Sequence, residues 1–466
     1  MSGRASIIIS DIHIGAGLLD DCDEELESHL CDFLQTLSTR AESIELIING
    51  DFLDFVQAPP WKGAELESKT QDSIPLCHTE AHSRSKLSAI HQAHGAVFNS
   101  LGSFLASKAD NRLVILPGNH DADFFWQTVR TQFIEKVSEL DASVQPQIRF
   151  HLEQVYRPDD FPEVWIEHGH QHDPTNAFEI DDKPFWSEAD RPIFRDVNGK
   201  ERLFECIGTR LLIKYINELD RNYPFVDNVK PFGKFVALFC RSVFAPSYFI
   251  KAAAGMWGLL RFLSSITVHH RGDFMDSPEE SEIDPRPVLM TWERALSSAD
   301  KAALVKTIRA RGFPLDRSLK LYVSDLDDAR KLMDFLSQNL EIAKDPPADD
   351  SSFLGSGEGE LSLYRGFKMD ETLKLKKVAK NLLRKDGVKA VVMGHTHEVV
   401  DDPNLAYINS GCWTRYLDFR KSGKIRSWSV LKKNSYDFFP YLLNFVEINP
   451  GGSSLIQKKT FRERTS

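Results

Sequence analysis

The chain has 466 residues, of which 42% are hydrophobic and 27% charged, and its formal net charge at pH 7 is −11. This composition is typical of a globular protein with a sizeable core, and the length predicts two or three domain-sized units. The acidic balance argues against a protein whose whole surface binds nucleic acid, although a local basic patch is compatible with it.

The remaining bulk features predict an ordinary intracellular protein. The six cysteines are scattered, without the spacing of a zinc knuckle or a redox pair. In a long chain they are typical of thiols in a reducing compartment. The first residues lead almost directly into a strand-like run, so no signal peptide is expected. Since no segment approaches about 18 uninterrupted apolar residues, we expect a cytoplasmic protein without a transmembrane helix.

In chain order, five short apolar runs each end in a polar cluster. The runs and their endings are SIIIS with Asp11 and His13, IELIIN with Asp51, RLVILP with Asn119 and His120, EVWIE with His168, and VKAVVM with His395 and His397. Runs of this length are typical of strands buried on both faces. Helix-like stretches lie between several of them, at 23–40, 80–108 and 123–140. This alternation predicts an α/β fold with parallel strand pairs.

The polar clusters all follow the carboxyl ends of their strands, where α/β sheets bind ligands. A single cluster is weak evidence, because strands often end in glycine, asparagine or aspartate. Five clusters rich in metal-binding residue types are poorly explained by packing alone. Seven candidate ligands are too many for one ion and suit two. Histidine, carboxylate and amide donors favour borderline or harder divalent ions, so we expect two Mn²⁺ ions, with Fe or Zn as alternatives.

The chain between about 175 and 385 breaks this rhythm and is too long for a loop. We therefore predict a core at 1–185, a mainly helical insertion at 186–385, and a second core part with the C-terminal tail at 386–466. Within the insertion, residues 230–272 contain six basic residues, no acidic residue and interleaved aromatics. This stretch could cover the active site, contact an anionic membrane peripherally, grip nucleic acid, or simply form core helices.

The motifs D-x-H, GD-x-x-D, GNHD, a strand-end histidine and GH-x-H occur here in the order of the calcineurin-like metallophosphoesterase superfamily, which the chain resembles. The resemblance covers roughly 1–185 and 386–446. It implies a four-layer α/β/β/α sandwich of two mixed sheets. It also implies two ligand sets and a bridging carboxylate, which are Asp11, His13 and His397; Asn119, His168 and His395; and Asp51.

The same resemblance implies roles for three residues that do not bind metal. His120 would stabilise the developing charge of the phosphate or protonate the leaving oxygen. Asp121 would orient His120, as carboxylates often do for imidazoles. Asp54 is expected to support the ligands.

A nearer resemblance lies in the segment EHGHQHD and in the N-x-G-x-W turn at 409–413. Both are similar to segments of bacterial phosphoesterases related to the UDP-2,3-diacylglucosamine pyrophosphatases. Those lipid pyrophosphatases usually carry arginine where this chain has His120, and their insertion is shorter. The resemblance implies hydrolysis of a phosphodiester or pyrophosphate bond in a nucleotide or a nucleotide-linked lipid. His170 and His172 are either substrate contacts or turn residues.

Two alternatives remain. A metal-dependent DNA or RNA nuclease can carry all five motifs and could use the basic stretch to hold its substrate, although the net charge disfavours it. A binding scaffold on an inactive phosphoesterase core would be marked by a lost ligand, and none is lost here. The sequence does not indicate an oligomeric state.

Overall fold

A computed structural model provides the structure of the chain, which divides into two compact units. The first unit comprises 1–217, 369–416 and 436–466, and the second comprises 218–368 and 417–435. The structure describes residues 4–17, 21–61, 76–173, 176–180, 183–196, 198–213, 217, 228–230, 302, 305–306, 308–310, 312–338, 371–418, 439–448 and 454–465.

The domain boundaries predicted near 185 and 385 stay a prediction. The division above differs from them by assigning 186–217 and the helix at Glu371–Leu382 to the first unit. Of the basic stretch at 230–272, only Lys230 is described. The predicted contacts of that stretch with membrane or nucleic acid therefore lie outside the described residues.

The described residues form sixteen strands and eight α-helices. The strands are β1 Ala5–Ile9, β2 Ile44–Asn49, β3 Arg112–Leu116, β4 Ile148–Phe150, β5 Val164–Ile166, β6 Glu179–Ile180, β7 Lys183–Pro184, β8 Ile193–Arg195, β9 Glu201–Leu203, β10 Val229–Lys230, β11 Ala390–Met393, β12 Val400–Asp402, β13 Tyr407–Asn409, β14 Leu417–Asp418, β15 Tyr441–Ile448 and β16 Ile456–Arg464. The helices are α1 Glu24–Ser38, α2 Glu80–Ala93, α3 Gly95–Ala106, α4 Gln127–Val137, α5 Ile207–Leu211, α6 Leu319–Tyr322, α7 Leu326–Gln338 and α8 Glu371–Leu382.

Two mixed sheets form the centre of the first unit. The larger sheet has the order β16-β15-β1-β2-β3-β4, and the smaller has the order β12-β13-β11-β5. Strands β1 to β4 are parallel, as are β5, β11 and β13, whereas β15, β16 and β12 run antiparallel to their neighbours. All six residues of β2 are buried, which explains why its sequence lacks the alternation of a half-exposed strand. The predicted α/β fold with two mixed sheets is confirmed.

The inner faces of the two sheets share one hydrophobic core. Ile8, Ile47 and Val114 of the larger sheet belong to the same buried cluster as Ile166 and Val392 of the smaller sheet. Because successive strand residues point to opposite faces, the neighbours of these residues must contact other elements.

Helices cover the opposite face of each sheet. On the smaller sheet, Leu375 of α8 packs in a buried cluster with Val391 of β11. On the larger sheet, the ring of Phe33 in α1 lies 5.3 Å from that of Phe445 and 5.2 Å from that of Phe461. At least one helix therefore packs on each sheet, on the face opposite to the shared core.

In the second unit, β10 pairs in parallel with β14, and Phe313 contacts the rings of Tyr322 and Phe335. The helices of the described segments include none with the length and hydropathy needed to cross a bilayer.

Candidate metal centre

The carboxyl ends of five parallel strands meet at one edge of the two sheets. Direct hydrogen bonds join the loops that follow them. Nδ1 of His168 lies 2.8 Å from the carbonyl oxygen of Asn49, and the Gly394 amide donates to the carbonyl of His168 at 2.9 Å. The Trp413 amide donates to the carbonyl of Asp11 at 2.9 Å. The predicted convergence of the strand ends is confirmed.

Asp11, His13 and His397 form the first buried group, with one candidate ligand atom from each residue and all three atoms within 4.8 Å of one another. Nε2 of His13 lies 3.0 Å from Nε2 of His397, which lies 3.6 Å from Oδ1 of Asp11. Two imidazole nitrogens facing each other beside a carboxylate oxygen suit a divalent transition metal.

Asp51, His168 and His395 form the second buried group, with the same 4.8 Å limit between their candidate atoms. Oδ2 of Asp51 lies 3.0 Å from Nε2 of His168 and 3.9 Å from Nε2 of His13 in the first group. One carboxylate oxygen is therefore close to a histidine of each group. This position suits the bridging role that the family resemblance implied for Asp51.

Asn119 provides an independent test of the fit to metal. Its side chain is buried, and Oδ1 has no hydrogen-bond partner among the described residues. Leaving a buried amide oxygen unpaired costs about 1–3 kcal/mol, and a metal ion would satisfy it. Both histidine groups and this amide oxygen therefore fit the predicted donor set.

Carboxylates outside the ligand groups orient three of the histidines. Oδ2 of Asp54 lies 3.1 Å from Nδ1 of His13 and 2.9 Å from Nδ1 of His120. Oδ2 of Asp173 lies 3.3 Å from Nε2 of His395. Such contacts select the nitrogen that remains for a metal or a substrate. The sequence motifs contain both aspartates, but their spacing does not show which histidine each one contacts.

The role predicted for Asp121 is corrected. Its Oδ1 accepts the Gly118 amide at 2.5 Å, and its Oδ2 accepts the Phe52 amide at 2.9 Å. Asp121 thus ties the GNHD loop to the GD-x-x-D loop through the backbone. Asp54 occupies the position beside His120 that the family resemblance implied for Asp121.

Backbone strain is concentrated at the candidate ligands. The described residues include seven non-glycine positions with positive φ, and five of these are Asp11 at 53°, His13 at 52°, Asp51 at 50°, His395 at 70° and His397 at 59°. Such conformations cost on the order of 1–3 kcal/mol each and collect at functional sites, where the surrounding structure holds them.

The glycines that precede three ligands leave space for ligands from other loops. A Cβ atom on Gly50 would collide with the ring of His168, and one on Gly118 would collide with Oδ1 of Asp51. A Cβ atom on Gly394 would likewise collide with the carboxylate of Asp11. Each loop can therefore approach its neighbour only where a side chain is missing.

Electrostatic interactions within the site favour a negative charge on Asp51 and a positive charge on His120. Burial alone would raise the pKa of Asp51, but the charges of His168 and His120 outweigh it and hold that pKa well below its usual range. Burial lowers the pKa of His120, yet the charges of Asp54 and Asp51 prevail and raise it to about 9. His120 is therefore protonated at neutral pH while Asp51 is ionised.

His170 occupies a different environment from the ligands beside it. It is buried, both ring nitrogens have no hydrogen-bond partner among the described residues, and its ring lies 4.5 Å from that of Trp186. Burial, with the charges of His168 and His395, lowers its pKa well below the usual range. His172 instead contacts Glu167, with 2.7 Å between Nε2 and Oε1.

No protein-family model matches the chain, and no curated protein is found to be similar to it. The buried histidine and aspartate groups therefore carry the functional argument.

Proposed function

We propose that the protein is a hydrolase of phosphodiester or pyrophosphate bonds that uses two divalent metal ions, with Mn²⁺ as the expected metal. The observation that carries this proposal is the pair of buried ligand groups joined by Asp51. The layered fold and the order of the motifs support membership of the calcineurin-like metallophosphoesterases. The resemblance to UDP-2,3-diacylglucosamine pyrophosphatase relatives favours a nucleotide or a nucleotide-linked lipid as substrate.

The two ligand sets would be completed by one amide oxygen and would share one carboxylate. The first set is Asp11, His13 and His397, the second is Asn119, His168 and His395, and the shared carboxylate is Asp51. Two bound divalent ions would neutralise the phosphate oxygens and supply hydroxide near neutral pH. The ionised state of Asp51 suits a group that faces both ions.

His120 is the proposed general acid. Asp54 contacts its Nδ1 at 2.9 Å and keeps the ring protonated, which leaves Nε2 to donate a proton to the oxygen of the departing alcohol or phosphate. A pKa near neutrality or above lets the imidazolium deliver that proton at physiological pH. His120 is also partly exposed, with 15% of its side chain accessible, so a substrate can reach it.

The test is Mn²⁺-dependent hydrolysis of bis(4-nitrophenyl) phosphate by the purified chain. We expect turnover with Mn²⁺, its loss in Asp51→Asn, and a decrease in kcat of about 10²–10⁴-fold in His120→Ala. His91→Ala changes a half-buried histidine of α2 outside the candidate metal groups; it is the matched control and should retain activity. Absence of hydrolysis by the metal-loaded chain, or full activity of Asp51→Asn, would contradict the proposal.

A further inference from the structure

A narrow pocket adjoins Asn119 and His120 within the first unit. Its apolar wall includes Phe55, Phe178 and Phe204. The residues after β9 and the helix α5 provide one side, through Glu205 and Thr209. Because the proposed general acid is one of its lining residues, the pocket lies close to where the departing part of a substrate would be placed.

Three charged side chains line this pocket although they are almost completely buried. Lys86 of α2 is 2% exposed, Asp123 is 4% exposed and Glu205 is 2% exposed. Charged side chains are seldom buried to this extent without a compensating partner. None of the three belongs to the candidate metal ligands, so the proposed hydrolysis does not explain them.

The carboxylates retain unused hydrogen-bonding capacity. Oδ1 of Asp123 and Oε2 of Glu205 are buried and form no hydrogen bond of ordinary geometry in the described part of the chain, although the nearby Ser83 hydroxyl opposes the rise that burial causes in the pKa of Asp123. The other oxygen of Glu205 accepts the His78 amide at 3.4 Å. Each unpaired acceptor costs about 1–3 kcal/mol, which a donor entering the pocket would recover.

The mixture of charges limits what can bind. Burial raises the pKa values of Asp123 and Glu205, and the positive charge of Lys86 opposes that shift in both groups. The carboxylates repel a phosphate group, and the ammonium of Lys86 repels an amine. A neutral group that both donates and accepts hydrogen bonds avoids both repulsions, and a hydroxyl group is the smallest group of this kind.

We propose that this pocket binds a hydroxyl group of the substrate and selects phosphoesters of polyols, such as glycerol or a pentose, over those of simple alcohols. The hydroxyl donates to Asp123 or Glu205 and accepts from Lys86, while the carbon atoms beside it contact the phenylalanine wall. This inference rests on the proposed phosphoesterase function, because the phosphate must lie at the metal ligands for the hydroxyl to reach the pocket.

Calorimetric titration of the Mn²⁺-loaded chain with three phosphate monoesters tests the inference without requiring turnover. The ligands are sn-glycerol 3-phosphate, ribose 5-phosphate and 1-propyl phosphate, which share the anionic group and differ in hydroxyl content. We expect at least one polyol phosphate to bind tenfold or more tightly than propyl phosphate, because a site that pairs a hydroxyl group discriminates against its absence. The stronger of the two polyol ligands identifies the source of the hydroxyl.

Variants assign the preference to the pocket. Glu205→Gln and Lys86→Met should reduce the affinity ratio toward one, and Glu135→Gln, an exposed position on α4, should preserve it. Asp123→Asn replaces Lys86→Met in the test if the latter fails to fold. A ratio near one in the unaltered chain, or a ratio unchanged in both Glu205→Gln and Asp123→Asn, would overturn the inference.

Hydrolysis of bis(4-nitrophenyl) phosphate is measured on the same preparations. Hydrolysis together with a ratio near one, or with no binding of any monoester, rejects the hydroxyl pocket alone. Absence of both hydrolysis and monoester binding rejects the proposed function itself.

Discussion

At the scale of single residues, Asp54 links the two halves of the proposed chemistry. Its Oδ2 contacts Nδ1 of both His13, a candidate ligand, and His120, the proposed general acid. Its other oxygen accepts the Gln57 amide at 2.9 Å, which fixes the carboxylate between the two rings. The family resemblance implied Asp121 for this task, but the side chain of Asp121 accepts hydrogen bonds from backbone amides instead.

We therefore predict that Asp54→Asn lowers kcat about tenfold or more while the chain retains bound Mn²⁺. The amide removes the negative charge that stabilises the protonated ring, so the alkaline limb of the pH profile of kcat should move to lower pH. Steady-state kinetics measured from pH 6 to pH 10, in steps of about 0.5 pH unit, check this prediction. Asp121→Asn is the contrasting variant. An unchanged alkaline limb in Asp54→Asn would contradict the claim that Asp54 keeps His120 protonated.

Glu45 provides a residue-scale prediction about stability. It is buried in β2, where it accepts hydrogen bonds from Ser6 at 3.2 Å and Tyr156 at 3.0 Å. Burial raises its pKa despite these contacts. A carboxyl group whose pKa is raised by folding stabilises the folded state below its ordinary pKa, and that contribution is lost as the pH rises through the folded-state pKa.

Glu45→Gln should accordingly raise the thermal midpoint at pH 7.5, and the gain should shrink toward pH 4. The amide cannot ionise; it keeps one acceptor oxygen, and its NH₂ group can donate to the hydroxyl that faced the other oxygen. Scanning calorimetry at several pH values measures the difference from the unaltered chain, and Glu135→Gln on the surface of α4 controls for the loss of one charge. If the thermal midpoint of Glu45→Gln at pH 7.5 were lower than that of the unaltered chain, the Glu45 carboxylate would be shown to stabilise the folded state.

At the scale of elements, strand-to-loop junctions could be predicted better than the contacts between them. The apolar runs predicted β1, β2, β3, β5 and β11, and their endings contain the candidate ligands. The helix-like stretch at 80–108 divides at His94, whose backbone leaves the helical conformation, and a second helix starts at Gly95. Nδ1 of His94 lies 2.8 Å from Oε2 of Glu27. Pairings of this kind join residues far apart in the chain, so local patterns do not contain them.

The pocket beside His120 illustrates the same limit. Lys86 lies in the polar sequence EAHSRSKLSAIHQA, which is typical of an exposed helix face. In the fold, α2 contacts β9, which lies more than 100 positions later in the chain. Local sequence could not predict that contact.

The glycines that allow the ligand loops to approach one another give a prediction at the scale of elements. Gly118→Ala should lower the affinity for Mn²⁺ at least tenfold, because the new Cβ atom displaces the carboxylate of Asp51 from the centre. Gly95→Ala is the matched control, since a Cβ atom there meets nothing within 4 Å, and it should bind Mn²⁺ normally. Calorimetric titration measures the Mn²⁺ affinity of both variants. Equal affinities would contradict the conclusion that the loop at Gly118 can approach Asp51 only because it lacks a side chain.

At the scale of the whole molecule, metal binding should stabilise the first unit. Its two sheets meet at the ligand loops, where ionised carboxylates and protonated histidines are buried together. A metal ion that binds only the folded chain stabilises it by about 2.7 kcal/mol at a free concentration of 100 times Kd.

We expect saturating Mn²⁺ to raise the thermal midpoint of the metal-free chain by about 5 °C or more. Differential scanning calorimetry before and after addition of the ion measures this, and a chelator should reverse it. Asp51→Asn should show a much smaller rise. An equal rise in that variant would indicate binding elsewhere on the chain.

The account depends most on the presence of two ions at one centre, and equilibrium dialysis against Mn²⁺ followed by elemental quantification measures that number. We predict about two Mn²⁺ per unaltered chain and about one in His397→Asn, with His91→Asn retaining both. One ion or fewer per unaltered chain, or the same number in His397→Asn, would contradict the two-metal centre.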